Sequence, residues 1–287
     1  MTDDAMKQAY KVARQLLWDH LRTTSPGTAE ILEQVHRSDL IVVKGEYDHI
    51  EDVLESTGMP FSMIEPARLE RARLRPDQIV FINCPGNVGP KAARQLQQFV
   101  SDGGFLFTTD WALKHVLELA FPGYVEFNRR PTADEVVRIE ILDQEDTFLQ
   151  SVLGEGDDPL WWLEASSFPI RILDANKVKV LIRSNEILER HGEAPVFISF
   201  AYGEGVVYHM ISHFYLQRSE TRTARQAKPS TEYVLSKGVE EAALWKYRDL
   251  GAGEITTGQL QSAYSSHSTI VGVVLRKKAR DRARKGQ

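Results

Sequence analysis

One cysteine in 287 residues, Cys84, leaves no partner for an internal disulfide and no set of thiols for a cysteine-rich zinc site. Long apolar runs are equally scarce. The longest, such as TIVGVVL at 269–275, fall far short of the roughly 20 residues a membrane-spanning helix needs, so no bilayer crossing is expected. The N-terminus, MTDDAMKQAYKVARQLLWDHL, is acidic and then amphipathic. It lacks the basic stretch and apolar stretch of a secretory signal, and the expected compartment is the cytoplasm. NCPGNVG at 83–89 is glycine-containing, but no Lys-Ser/Thr pair follows it, which excludes a phosphate-binding P-loop.

What is present is ordinary for a globular chain: 42% hydrophobic and 26% charged residues. Charge is unevenly spread. Residues 276–287, RKKARDRARKGQ, carry seven basic residues against one acidic, a charge of +6, leaving about −11 on the rest of a chain whose net charge is −5. An acidic body argues against a broad nucleic-acid-binding face. The basic tail reads either as a solvated helix end, favoured there by the helix dipole, or as a tether to an acidic partner.

Residues 4–21 set Met6, Tyr10, Ala13, Leu17 and Leu21 at steps of four and three, one apolar stripe along a helix. The pattern then alternates. DLIVVKG, PFSMI, QIVFINC and FLFTT read as strands, with helices at about 28–36, 48–57 and 66–72, after PGNVGP, and from Asp110 onward. Repeated strand and helix with short connections predicts parallel strands joined by right-handed crossovers, a three-layer, doubly wound, mostly parallel α/β sheet. From 121 onward, VVRIEIL, PIRIL, VKVLIRS and VFISFAYGEGVVYHMISHF alternate apolar and polar residues and predict a β-rich elaboration, with a Gly-centred hairpin in AYGEGVVYHM. A short helix near 146–153, a mobile polar loop at 219–231 and helices at about 231–248 and 256–283 complete the expected organisation.

This order of elements, with NCPG after the third strand, FVSDGGFLFTT before a strand-to-helix corner and YGEGVVYHM closing the sheet, resembles the class I glutamine amidotransferase-like superfamily, specifically its ThuA-like branch and the related domain of some β-galactosidases. The resemblance covers about 38–217 and implies a flavodoxin-like domain there. It leaves an N-terminal helical extension at 1–37 and, at 218–287, a loop and C-terminal helices with the basic tail. In the catalytic branch the corner carries a cysteine, which works with a histidine and an acid to attack a glutamine side chain. Here GGFLFTTDWALKHVL puts Asp110 at the corner, while Cys84 lies at the end of the preceding strand. A carboxylate cannot replace a thiolate in amide attack, because the product would be a mixed anhydride formed by expelling a poor amine leaving group. The resemblance therefore implies a scaffold without glutaminase chemistry; ThuA-like members commonly lack the cysteine.

Asp110 has two readings: an N-cap for the helix that follows, or a nucleophile, base or ligand at the C-terminal sheet edge, where open α/β folds bind their ligands. His213, near a strand end, could approach it. His209 and His213 at strand spacing would stand about 13 Å apart, too far for one metal ion. His49, beside Glu46 and Asp48 in the loop after the first strand, is the third catalytic candidate. Asn83, Cys84, Gly86 and Trp111 are candidate ligand-binding residues, although Cys84 is most simply a small apolar residue at a strand end. Trp161 and Trp162 wall a pocket or cover apolar surface. No cofactor and no metal is called for.

Two functions remain in view. One is a catalytically silent binding or assembly module, with a protein partner or self-association through the terminal helices. The other is a hydrolase or lyase on a small molecule, sugar derivatives included, using Asp110, His49 and His213. The second requires those side chains to converge.

Overall fold

A computed structural model describes residues 2–142, 160–213 and 223–285. The expected short helix near 146–153 and the start of the loop at 219–231 lie outside the described residues. The compact β-branched runs form β1 (Leu40–Val43), β2 (Ser62–Ile64), β3 (Ile79–Ile82) and β4 (Phe105–Thr109). β1, β3 and β4 are buried at every position, as continuous apolar runs require, and β2 is a less buried edge.

The alternating segments give β5 (Val125–Phe127), β6 (Glu135–Arg138), β7 (Glu140–Ile141), β8 (Leu160–Leu163), β9 (Ile170–Ile172), β10 (Val178–Arg183), β11 (Pro195–Tyr202) and β12 (Gly205–Met210). The main sheet is mixed and eight-stranded, in the order β2-β1-β3-β4-β12-β11-β10-β7, an α/β arrangement with helices. β2, β1, β3, β4 and β12 are parallel, and β12, β11, β10 and β7 pair antiparallel. β5 with β9 and β6 with β8 form two separate ribbons.

Register sets the site. Val43 pairs with Ile82, Ile82 with Thr108, and Thr109 with Met210. Parallel strands in step must deliver the segments that follow them, 44–49, 83–86, 110–111 and 211–213, to one edge of the sheet.

The helix Gly89–Ser101 starts with Pro90 in its first turn, where the missing N–H leaves no bond unmade, and buries Ala92, Ala93, Leu96, Phe99 and Val100 on one face. The helix expected from Asp110 begins only after a turn, and Leu113–Leu117 is wound as a π-helix before the single turn Glu118–Ala120.

The terminal helices, Thr2–Thr24 and Thr257–Lys285, pack on each other and share one apolar core with the sheet. Met6, Tyr10, Ala13, Leu17 and Leu21 are all buried. Each large side chain so buried contributes roughly 1.5–3 kcal/mol over exposure. Tyr10 packs its ring 5.2 Å from that of His267, which in turn meets the Ser56 hydroxyl at 2.8 Å.

The first residues of the basic tail are docked on the fold, whereas Arg282 and Arg284 near its end are exposed. Lys277 is 1% exposed, pairs with Asp281 and sits over the Phe105 ring. Lys278 reaches Asp39 at 2.6 Å, and Arg276 lies over Tyr208. These cations are engaged within the fold. Among the described residues no helix is long and apolar enough to cross a membrane.

Candidate active site

Asp110 stands at the corner after β4 with φ 44°, in the left-handed region that non-glycine residues seldom occupy. Such strain persists only where the surroundings impose it, and it clusters at functional sites. The corner directs the carboxylate across the sheet edge: Oδ1 accepts from the Phe168 N–H at 2.7 Å and Oδ2 from the Ser167 hydroxyl at 3.2 Å. The N-cap reading is thereby corrected. The side chain serves a distant turn, not the helix after it.

His213 lies just beyond β12, with Nε2 3.3 Å from Asp110 Oδ2 and Nδ1 2.6 Å from Glu164 Oε2. The ring nitrogens are buried and make these contacts as ion pairs, without the alignment of good hydrogen bonds. Cys84 completes the cluster: its Sγ, an Asp110 carboxylate oxygen and a His213 ring nitrogen all lie within 4.8 Å of one another. Asp110, His213 and Cys84 are 2%, 4% and 1% exposed, whereas the Glu164 side chain is 30% exposed and links the cluster to solvent.

The turn that carries Glu164, Ser167 and Phe168 is braced by Thr132. Its hydroxyl donates to Glu164 O at 2.9 Å, its N–H to Ser167 O at 3.0 Å, and its carbonyl accepts from Ser166 N–H at 2.8 Å. Cys84 is held by its own backbone: its N–H donates to Thr109 Oγ1 at 3.2 Å, and its carbonyl accepts from the N–H groups of Glu46 and Tyr47 at 2.9 and 3.3 Å. The Cys84–Pro85 peptide is cis.

The other expected residues have different duties. Asn83 is fully buried, donates to Glu51 Oε2 at 2.7 Å and accepts from Ile50 N–H, so it ties the first loop to the third strand. His49 turns to Glu51 at 3.2 Å and is 41% exposed; it does not join the Asp110 cluster. Gly86, at φ 72°, lets the loop press on the corner helix, where a Cβ would meet Ala112 Cβ at 2.8 Å. Its role is close packing. His209 is buried inside the sheet against Thr108 at 2.8 Å, well apart in duty from His213.

Trp111 donates Nε1–H to Ser166 O at 2.7 Å and stacks on Phe168, which stacks on Phe127. Tyr47, 51% exposed, meets Trp111 edge-on at 5.4 Å. These aromatics wall the edge beside the cluster. Trp162 is buried with its N–H on Asp134 at 2.5 Å, and Trp161 packs against the core, so that pair covers apolar surface.

Burial and charge pull in opposite directions. Burial lowers the affinity of His213 for its proton, but Asp110, Cys84, Glu164 and Asp48 outweigh it and hold the imidazole well above its ordinary value. Burial raises Asp110 against the opposing pull of His213, Phe168 and Ser167. Burial also pushes the Cys84 thiol up, only partly offset by His213. Burial thus works against a thiolate at Cys84.

Glu164, Ser167 and Phe168 were not among the expected residues. The one local signal was an acidic residue closing the aromatic strand PLWWLE, followed by a Ser-Ser-Phe-Pro turn. No family model matches the chain, and no curated protein matches it. Solved structures similar to it include the cytoplasmic protein STM3548 from Salmonella typhimurium, at 11% identity over 61% of this chain and 88% of that one, TM-score 0.44. A ThuA-like protein from Bacteroides uniformis is similar at 10% identity over 62% and 83%, TM-score 0.43. A β-galactosidase from Bacillus circulans is similar at 14% identity over 65% of this chain, but the match takes in 31% of that enzyme, TM-score 0.44.

Proposed function

We propose that this protein is a hydrolase or lyase acting on a small polar molecule at the C-terminal edge of its sheet, with Glu164, His213 and Asp110 handling the proton. The observation that carries this reading is the imidazole of His213 buried between two carboxylates, at 3.3 and 2.6 Å. Taking such ions out of water costs several kcal/mol each before their attraction offsets it, so a fold has little structural reason to build the set. Groups perturbed by burial and by specific partners in this way cluster at catalytic sites.

In this mechanism Asp110 holds the Nε2 proton and stabilises the imidazolium. Nδ1 exchanges its proton with Glu164, whose solvent-facing carboxylate meets the substrate. The strained corner and the Ser167–Phe168 contacts keep Asp110 fixed while charge moves. His49 is left out of proton transfer. The flavodoxin-like scaffold of the amidotransferase type, with a carboxylate at the corner, belongs to the same reading.

The alternative, a silent binding module, is favoured by the near-complete burial of Asp110, His213 and Cys84. Its other motive has weakened, because the apolar stripe of the N-terminal helix is buried within the chain and calls for no second subunit. Turnover of ester, lactone, glycoside and β-hydroxycarbonyl panels by wild type and folded His213→Gln separates the two. The catalytic reading expects a loss of about 10²- to 10⁴-fold in the variant. Equal rates in the two proteins would sink it.

A further inference from the structure

Three side chains of different chemistry meet at one buried point from three places in the chain. Cys84 comes from the loop after β3, Asp110 from the corner after β4 and His213 from the end of β12, and their ligand-type atoms lie within 4.8 Å of one another. The His213 Nε2 to Asp110 Oδ2 separation is 3.3 Å. Two ligands of one tetrahedral zinc ion, with bonds of about 2.0–2.2 Å, stand about 3.4 Å apart. That pair already has the right spacing.

The surroundings are also those of a metal site. His213 offers Nε2 to the cluster while Nδ1 faces Glu164 at 2.6 Å, the carboxylate–histidine pairing that fixes ring orientation behind a metal-bound imidazole. Asp110 is oriented by Phe168 N–H and the Ser167 hydroxyl, and Cys84 by hydrogen bonds to its backbone from three directions. Nε2 of His213, in a residue 4% exposed, faces Asp110 and Cys84 without an aligned hydrogen bond, which is the condition of a ligand with its acceptor position unfilled. A thiolate and a carboxylate also balance a divalent ion, leaving a neutral first set of ligands in a site that admits little water.

We infer that Cys84 Sγ, Asp110 and His213 Nε2 bind one divalent ion of the zinc class, with Glu164 as the outer carboxylate on Nδ1. Binding releases the thiol proton and the Nε2 proton to solvent, and the three protein ligands fill three positions of a tetrahedral ion. Thiolate with imidazole selects zinc, cobalt or nickel over magnesium and calcium. The inference rests on the site of the proposed enzyme: with the ion bound, Nε2 carries no proton and Asp110 is a ligand, so only the Nδ1–Glu164 arm of the proton path is common to both states.

The test is cobalt(II) and zinc(II) titration of the full chain after chelator treatment, followed by absorption spectroscopy and calorimetry. Expected are one ion per chain, a near-ultraviolet thiolate-to-cobalt band, and a rise in melting temperature. Cys84→Ser should abolish the band and weaken zinc binding about 100-fold, and Glu164→Gln should weaken it about 10- to 100-fold. Absence of the band in wild type, or unchanged affinity in Cys84→Ser, overturns the inference. If Cys84→Ser fails to fold, X-ray absorption on the zinc-loaded wild type decides: sulfur at about 2.3 Å supports the site, and its absence overturns it. A wild type that takes up no metal yet loses turnover in His213→Gln also overturns it, and leaves the proton-handling reading standing.

Discussion

Nε2 of His213 lies 3.3 Å from Oδ2 of Asp110, with both side chains 3% exposed. Two titrating groups that close, in so little water, couple the protonation of the site to the stability of the fold.

The alkaline side follows from His213. Its folded proton affinity is raised, burial notwithstanding, by Asp110, Cys84 and Glu164, so the stabilisation is complete below about pH 6.5 and is lost as pH rises through the folded value. The Cys84 thiol, raised by burial, acts with the same sign above its unfolded value of about 8.5, whereas Asp110, raised by burial, acts with that sign from about pH 4 upward and so opposes the loss of stability on the acid side. Urea midpoints measured from pH 6.5 upward should therefore fall, with a slope of up to about 1.4 kcal/mol per pH unit for each titrating group. His213→Gln should flatten that limb. A limb equally steep in the variant would refute the assignment.

The acid side follows from two other histidines. His209 and His267 are buried and held down to about 3, in both cases chiefly by burial. Depressed folded values mean that the unfolded chain takes up protons first, so stability is lost as pH falls from about 6.5 towards 3. Two such groups give up to about 2.8 kcal/mol per pH unit. His209→Gln should halve the histidine share of that slope in melts between pH 4 and 6.5, and an unchanged slope would count against it.

Gly45 sets the seat of Cys84. A Cβ there would lie 2.4 Å from the Cys84 carbonyl oxygen and 2.5 Å from Asn83 Cβ, both rigid neighbours. Gly45→Ala should destabilise by about 1–3 kcal/mol, as overpacking of a filled interior does. Chemical denaturation measures this directly; a loss below about 0.5 kcal/mol would show that the loop has room to yield.

Glu164 is the exposed arm of the cluster. Glu164→Gln should cost no more than about 1 kcal/mol of stability, because its side chain is 30% exposed and solvent screens the pair. It should nevertheless lower the titration midpoint of His213 in imidazole nitrogen NMR spectra. A midpoint unmoved by the change would remove Glu164 from the proton path.

The strand runs DLIVVKG, QIVFINC and FLFTT were legible because continuous β-branched and aromatic burial is a local pattern, and each became a strand. The N-terminal stripe was legible for the same reason, since helical periodicity is written in adjacent residues. The tail was less legible. Its charge could be counted, but that Lys278 would find Asp39 and Lys277 would be buried depended on where the long helix docks. His49 shows the opposite failure: its place at the strand edge was right, but Glu51 two residues on captured its ring.

By itself the sequence determined the alternation of strand and helix, the corner at Asp110 and the isolation of one cysteine, because period, turn chemistry and composition are properties of neighbours along the chain. Only the tertiary structure decided that Cys84, Asp110, Glu164 and His213 should meet. Parallel register aligned three strand ends, one backbone torsion at Asp110 swung a carboxylate off its helix, and a turn braced by Thr132 brought in the fourth side chain. Those are long-range steric outcomes, and no local pattern encodes them.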